Sequence, residues 1–167
     1  MNRRKEDFIR KGVGHMDETD RKILSCLKEN ARTSATELGK KVNLSVAAVA
    51  ERIRKLEAAG IIEKYTLVLN QQMLGNDVSA LMEVCLEHPK YFDRFTKKIS
   101  EMEDVEACYY MTGDYDFMLK INTHSSATLE HLHRTIKSIN GVSGTKTFFV
   151  LQEIKNTATS LVEKGID

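Results

Sequence analysis

Tryptophan is absent from the 167 residues, proline occurs once and cysteine three times, and no apolar run approaches a membrane span, which takes ~20 residues. The N-terminus, MNRRKEDFIRKGVGH, is polar and basic and lacks the apolar core of a secretory signal. Cys26, Cys85 and Cys108 each sit inside an apolar pattern, not in CxxC spacing. That argues against disulfides and zinc and for reduced packing residues in a cytoplasmic protein. There is no GxSxG, HExxH or P-loop motif and no convincing carboxylate pair. The five histidines are His15, His88, His124, His131 and His133. The last two are two apart on an expected helix, so they cannot form an i, i+4 ligand pair. No catalytic residue, metal ligand or cofactor is therefore assigned.

What is present is ordinary in amount and uneven in placement. With 41% apolar and 29% charged residues, the chain suits one large globular domain or two small ones. Net charge is only +1. Residues 1–70 nevertheless carry 15 Lys and Arg against 10 Asp and Glu (net +5), whereas 71–167 carry 10 against 14 (net −4). A basic first half joined to an acidic second half suits a nucleic-acid module attached to something else.

The most informative stretch is 34–60, SATELGKKVNLSVAAVAERIRKLEAAG. Ser34 with Glu37 three residues on predicts a capping box opening a short helix that ends near Val42. Asn43 supplies the turn, because Asn tolerates positive φ. Ser45 caps a second helix whose Val46, Val49, Ile53 and Leu56 form one apolar stripe. Gly60 stops it. This is a helix-turn-helix pattern with 45–59 as the candidate recognition helix. Ser45, Val46, Ala47 and Ala48 open that helix, and the small residues would let its backbone approach a groove floor and touch thymine methyls. Arg52, Arg54 and Lys55 further along, with Lys40 and Lys41 on the preceding helix, suit phosphates.

Around this unit the chain divides readily. Residues 1–15 are a basic arm or a remnant ahead of Met16. Asp17 caps a first helix bearing Ile23, Leu24 and Leu27. The β-branched stretch IIEKYTLVLN at 61–70 reads as a strand or short hairpin, the wing of a winged helix-turn-helix over 16–69. Lys64 is its candidate backbone contact. A connector at 70–76 leads to a second domain over 77–158, and a tail follows at 159–167. The second domain alternates as βαββαβ. Its strands fall over 78–87, 105–111, 115–122 and 142–154, with one helix beginning at Pro89 and another capped by Ser125 or Ser126. The fold class is α+β, a winged helix-turn-helix followed by a ferredoxin-like domain with two helices on one face of a four-stranded antiparallel sheet. Leu81, Cys85, Met118 and Phe148 make the other face apolar, so dimerisation through this domain is expected.

Taken together, MDETDRKIL, ELGKKVNLSVAAVAERIRKLEAAGIIEKY, LNQQMLG, MTGDYDFMLKI and TKTFFVLQEIKNT closely resemble the Lrp/AsnC, or feast/famine, family of transcription regulators over roughly 16–158. The resemblance implies double-stranded DNA as partner and a sensing domain that dimerises and often assembles into octamers. It also implies a small effector, usually an amino acid, held between sensing domains. The family's turn motif is matched by Thr112, Gly113, Asp114, Tyr115 and Asp116. Such a glycine lets backbone N–H groups face a carboxylate, and an aspartate can accept from an α-ammonium. Thr145 and Thr147, with Phe148 and Phe149 beside them, match positions that could complete the pocket. Two departures stand out: Asn43 replaces the usual Gly, and Gln71 replaces the usual Pro, which predicts a looser hinge. Two other readings compete with an effector-responsive regulator. One is a ligand-independent architectural DNA protein. The other is an enzyme like the related sirohaem decarboxylases, which the histidine spacing argues against.

Overall fold

The computed structural model describes residues 16–156. The expected basic arm at 1–15, the tail at 159–167 and the last two residues of the expected second domain lie outside them. The chain divides into two compact units, one ending at Leu67 and the other spanning Val68–Asn156.

The first unit is three helices, α1 (Glu18–Glu29), α2 (Ala35–Val42) and α3 (Val46–Ala58). Each begins where a short polar side chain can take an orphan amide. Asp17 and Asp20 form a reciprocal capping box for α1, Ser34 and Glu37 form another for α2, and Ser45 accepts from the Ala48 N–H at 3.2 Å to cap α3. Asn43 adopts φ 57°, ψ 48°, the left-handed conformation expected of it. The tight turn also depends on Gly39, where a Cβ would lie 2.7 Å from the Leu44 carbonyl oxygen. That oxygen cannot retreat, because the Leu44 N–H is bonded to the Gly39 carbonyl at 2.9 Å. Ile23, Leu24, Leu38, Val49 and Leu56 form the buried core. Gly60, at φ 70°, ends α3 and lets the Ile61 N–H return to the Leu56 carbonyl at 2.9 Å.

The expected wing strand over 61–70 does not form. Its composition favours extended backbone, but a strand needs a neighbour to take its N–H and C=O groups, and no described segment pairs with it. Leu67, Val68 and Leu69 are exposed, and the Tyr65 hydroxyl reaches back to Glu57 at 2.9 Å. The connector that follows is closed on itself. Gln72–Leu74 is a single 3-10 turn, Asn76 donates to the Gln71 side chain at 2.7 Å, and the His124 ring lies 2.8 Å from the Gly75 carbonyl.

The second unit runs β1 (Val78–Leu86), α4 (Phe92–Ser100), β2 (Val105–Tyr110), β3 (Phe117–Thr123), α5 (Ser126–Lys137) and β4 (Val142–Phe149), with a 3-10 turn at Pro89–Tyr91 before α4. The sheet order is β2-β3-β1-β4 and every pairing is antiparallel. Alternation puts Ala80, Met82 and Val84 of β1 with Phe117, Leu119 and Ile121 of β3 on one face. There they are buried with Phe95 and Ile99 of α4 and Leu129, Leu132 and Ile136 of α5. The last strand stops at Phe149, short of the expected 154. Phe149 already faces Ala80 near the start of β1, and the Val150 N–H makes the final bond, to Ser79. Beyond it β4 has no neighbour.

Gly39→Ala should push the Leu44 backbone away and cost about 1–3 kcal/mol. The expected readout is a lower urea midpoint for loss of helical circular dichroism, and an unchanged midpoint would mean the turn can open without cost.

Candidate functional site

The surface of the first unit offers α3 end-on. Ser45, Val46 and Ala47 are exposed and Ala48 is half-buried. Lys40 and Lys41, at the C-terminal end of α2, are exposed beside the turn, and Lys64 is exposed beyond α3. Arg54 grips Glu51 of its own helix through Nε at 2.9 Å and Nη2 at 2.8 Å, with the Lys55 ammonium 3.8 Å from the same carboxylate. The Arg54 and Lys55 side chains are 66% and 70% exposed, so these pairs are weak and readily exchanged for phosphates.

Arg52 is placed differently from the other expected phosphate contacts. Its Nη1 donates to Asp17 Oδ2 and to Asp20 Oδ1, each at 2.7 Å, and its side chain is only 32% exposed. The Asp20 N–H, and then this guanidinium, hold the Asp17 carboxyl below its ordinary range. Asp20 and Asp17 in turn raise the Arg52 pKa. The sequence carried a signal for this. Position 52 is three residues after Val49 and four before Leu56, both buried, so it belongs to the inward stripe and not to the polar face.

In the second unit the 112–116 turn folds over the end of β1. The Asp116 N–H bonds the Val84 carbonyl at 3.0 Å, its carboxylate accepts from the Leu86 N–H at 2.7 Å, and its carbonyl accepts from the Met111 N–H at 2.8 Å. The Cys85 thiol donates to the Asp114 carbonyl at 3.1 Å. Asp116 is thus committed to the backbone. The Asp114 side chain is exposed and, among the described residues, makes no hydrogen bond or ion pair. Gly113, at φ 132°, has open space around its Cβ position. Thr112 is exposed and Tyr115 half-buried.

Thr145 and Thr147 do not join that turn within one chain. They pair with Val84 and Met82, and β1 separates them from β3. Both point under α5. The Thr145 hydroxyl lies 2.9 Å from His133 Nε2. Thr147 Oγ1 is buried, without a partner among the described residues, in a cleft of about 300 Å³ lined by Ser126, Leu129, Glu130, His133, Thr147 and Phe149. The histidine reading missed His133. Its signal was the spacing of Ser126, Leu129, Glu130 and His133 at i, i+3, i+4 and i+7, which puts them on one face of α5. Phe148, opposite Leu81, lies on the other side of the sheet. Among the described residues no three His, Cys, Asp or Glu are grouped to hold a metal ion, and no helix is long and apolar enough to cross a membrane.

Asp116→Ala should leave the Leu86 N–H without an acceptor and cost about 1–3 kcal/mol. Asp114→Ala should stay within about 0.5 kcal/mol of the parent. Equal midpoints for the two variants in denaturant would contradict this division of roles.

Comparison with known proteins agrees with both units. The family described as winged helix-turn-helix DNA-binding matches residues 16–63, and the Lrp/AsnC ligand binding domain matches 79–160. The leucine-responsive regulatory protein of Escherichia coli is 34% identical over 145 residues, covering 85% of this chain and 88% of that protein. A transcriptional regulator of Neisseria meningitidis, solved as an L-methionine complex, superimposes with a TM-score of 0.83 at 30% identity, over 87% of this chain and 96% of its own. A feast or famine regulatory protein of Mycobacterium tuberculosis, also complexed with L-methionine, gives 0.81 at 27% identity, over 87% and 98%. With a helix-turn-helix followed in the chain by a ligand-binding domain of this topology, the chain belongs to the Lrp/AsnC family of transcription regulators.

Proposed function

We propose that this regulator binds double-stranded DNA through the start of α3 and that an amino acid held at the 112–116 turn alters its affinity or assembly. The carrying observation is the contrast between the two aspartates of the turn. Asp116 is spent on the Leu86 N–H, whereas Asp114 presents an uncommitted carboxylate beside the glycine that opens the backbone. A free carboxylate next to accessible amides is what an α-ammonium and an α-carboxylate need. Two similar proteins solved with L-methionine support the same ligand class. On the DNA side, Ser45, Val46, Ala47 and Ala48 face the bases, and Lys40, Lys41, Arg54, Lys55 and Lys64 supply phosphate contacts.

The open face of the sheet supports self-association. Tyr109 is 57% and Phe148 40% exposed there, beside the half-buried Leu81 and Met118. We read this face as the seam of a homodimer, which the family resemblance extends to an octamer. A dimer carries two recognition helices, so its site has two half-sites about one helical turn apart. A second reading, a DNA organiser with little base preference, is favoured by the absence of hydrogen-bonding side chains at 46–48. It predicts a footprint of several helical turns on any sequence.

A thermal-shift screen of the full chain against the twenty amino acids tests the effector reading. A ligand at 100 times its dissociation constant stabilises by about 2.7 kcal/mol, a shift of several degrees. At least one amino acid is expected to give that shift, and Asp114→Ala is expected to abolish it. No shift with any of the twenty, or one that survives Asp114→Ala, overturns the proposed site.

A further inference from the structure

Arg52 is the one cation of α3 that faces inward, and what it holds is the beginning of α1. Each of its carboxylate partners has two oxygens with separate tasks. Asp17 Oδ1 accepts from the Asp20 N–H at 2.8 Å while its Oδ2 accepts from Arg52. Asp20 Oδ2 accepts from the Asp17 N–H at 3.2 Å while its Oδ1 accepts from Arg52. The capping box of one helix and the guanidinium of another thereby form one closed ring of charge-assisted bonds.

We propose that Arg52 is a positioning residue for DNA recognition: it fixes the roll of α3 against α1 and makes no phosphate contact of its own.

Three observations carry this. Arg52 Nη1 commits both of its N–H groups to 2.7 Å bonds, one of them to Asp20, whose side chain is only 15% exposed, so swinging the guanidinium outward to a phosphate would break both. Arg54 and Lys55 hold only an exposed neighbour and are free to turn outward. Among the described residues the apolar core of this unit is small, with five buried residues; Val49 and Leu56 are those of α3, and Ile53 is half-buried beside them. Two buried contacts two turns apart fix the helix axis more firmly than its rotation. A planar guanidinium tied to two points on another helix removes that freedom. Rotation of α3 would carry Ser45–Ala48 across a groove floor, so the clamp bears on base readout more than on attraction to the backbone. The inference rests on α3 being the helix that enters the groove.

The test uses fluorescence anisotropy on the full chain over a range of salt concentrations. Two DNA duplexes serve as probes, one selected by the parent protein from a random-sequence pool and one of mixed sequence. Four variants are compared: Arg52→Gln; Asp17→Asn with Asp20→Asn; all three together; and Lys40→Ala with Lys41→Ala. Asparagine preserves both caps while removing the charges.

Arg52→Gln and the double Asn variant should each lose about tenfold or more on the selected duplex, the size of a displaced base contact. Both should change little on the mixed duplex and keep the parent's salt slope. The triple variant should be no worse than either, since all three residues act as one unit. The lysine pair should flatten the slope by about one per lysine. Failure of that last result alone would count against the α3 interface and not against the clamp.

The proposal is overturned if Arg52→Gln flattens the slope by about one while the double Asn variant binds as well as the parent or better. Removing two negative charges should strengthen attraction to DNA unless those charges hold the helix. It is equally overturned if both variants are folded and bind both duplexes like the parent. If Arg52→Gln does not fold, Asp17→Asn alone is judged by the same criteria.

Discussion

Strand β1 is hydrogen-bonded along both edges, to β3 on one side and β4 on the other, and the sensing unit follows from that. Its inward residues Ala80, Met82 and Val84 are fully buried beneath α4 and α5, so its register cannot slip by one residue without turning the core outward. Its last residues, Val84–Leu86, hold the 112–116 turn through three bonds, to the Asp116 amide, the Asp116 carboxylate and the Asp114 carbonyl. The candidate effector turn is therefore anchored to the most constrained strand in the unit, and Asp114 projects from a rigid support. The same strand presents Leu81 and Cys85 on the face the helices leave open, so core, turn and open apolar face are set by one register.

The first unit follows a different logic. Its core is small, and its geometry is fixed mostly by local polar devices: two capping boxes, the left-handed Asn43, the close approach at Gly39 and the Arg52 ring. Charge is divided accordingly. The arginine that faces inward is engaged with carboxylates. Among the described residues, Lys40 and Lys41 beside the start of α3 have no ion-pair partner, and Arg54 and Lys55 near its end are held only by the exposed Glu51. A basic half-chain thus uses part of its charge inside the helical unit and leaves the rest exposed on its surface.

What the sequence discloses is what is local. Ser34 with Glu37, Asp17 as a cap, Asn43 and Gly60 each specify backbone by chemistry within four residues, and all four act as their residue types require. The alternation of β1 and the helical spacing of α5 identify the buried faces for the same reason. Features that need a distant partner are less visible. The engagement of Arg52 with Asp17 and Asp20 shows only when those residues, more than thirty positions earlier, are brought beside it. The stretch at 61–70 has strand composition but no neighbour to pair with. β4 ends where β1 begins, a limit set from 70 residues away in the chain. Thr145 and Thr147 are expected to complete a pocket with the 112–116 turn, yet the strand order places them on the far side of β1, where Thr145 meets His133 of α5.

The central claim is that one molecule couples an amino acid to DNA. Coupling is reciprocal: if the effector changes DNA affinity by some factor, DNA changes effector affinity by the same factor, typically about 5- to 150-fold. The deciding measurement is DNA affinity, at fixed salt and protein concentration, with and without a saturating amino acid that binds the pure protein. The account predicts a change within that range, with the same factor recovered when the amino acid is titrated into the protein–DNA complex. An amino acid that binds but leaves DNA affinity unchanged would contradict it and leave a regulator whose two halves act independently.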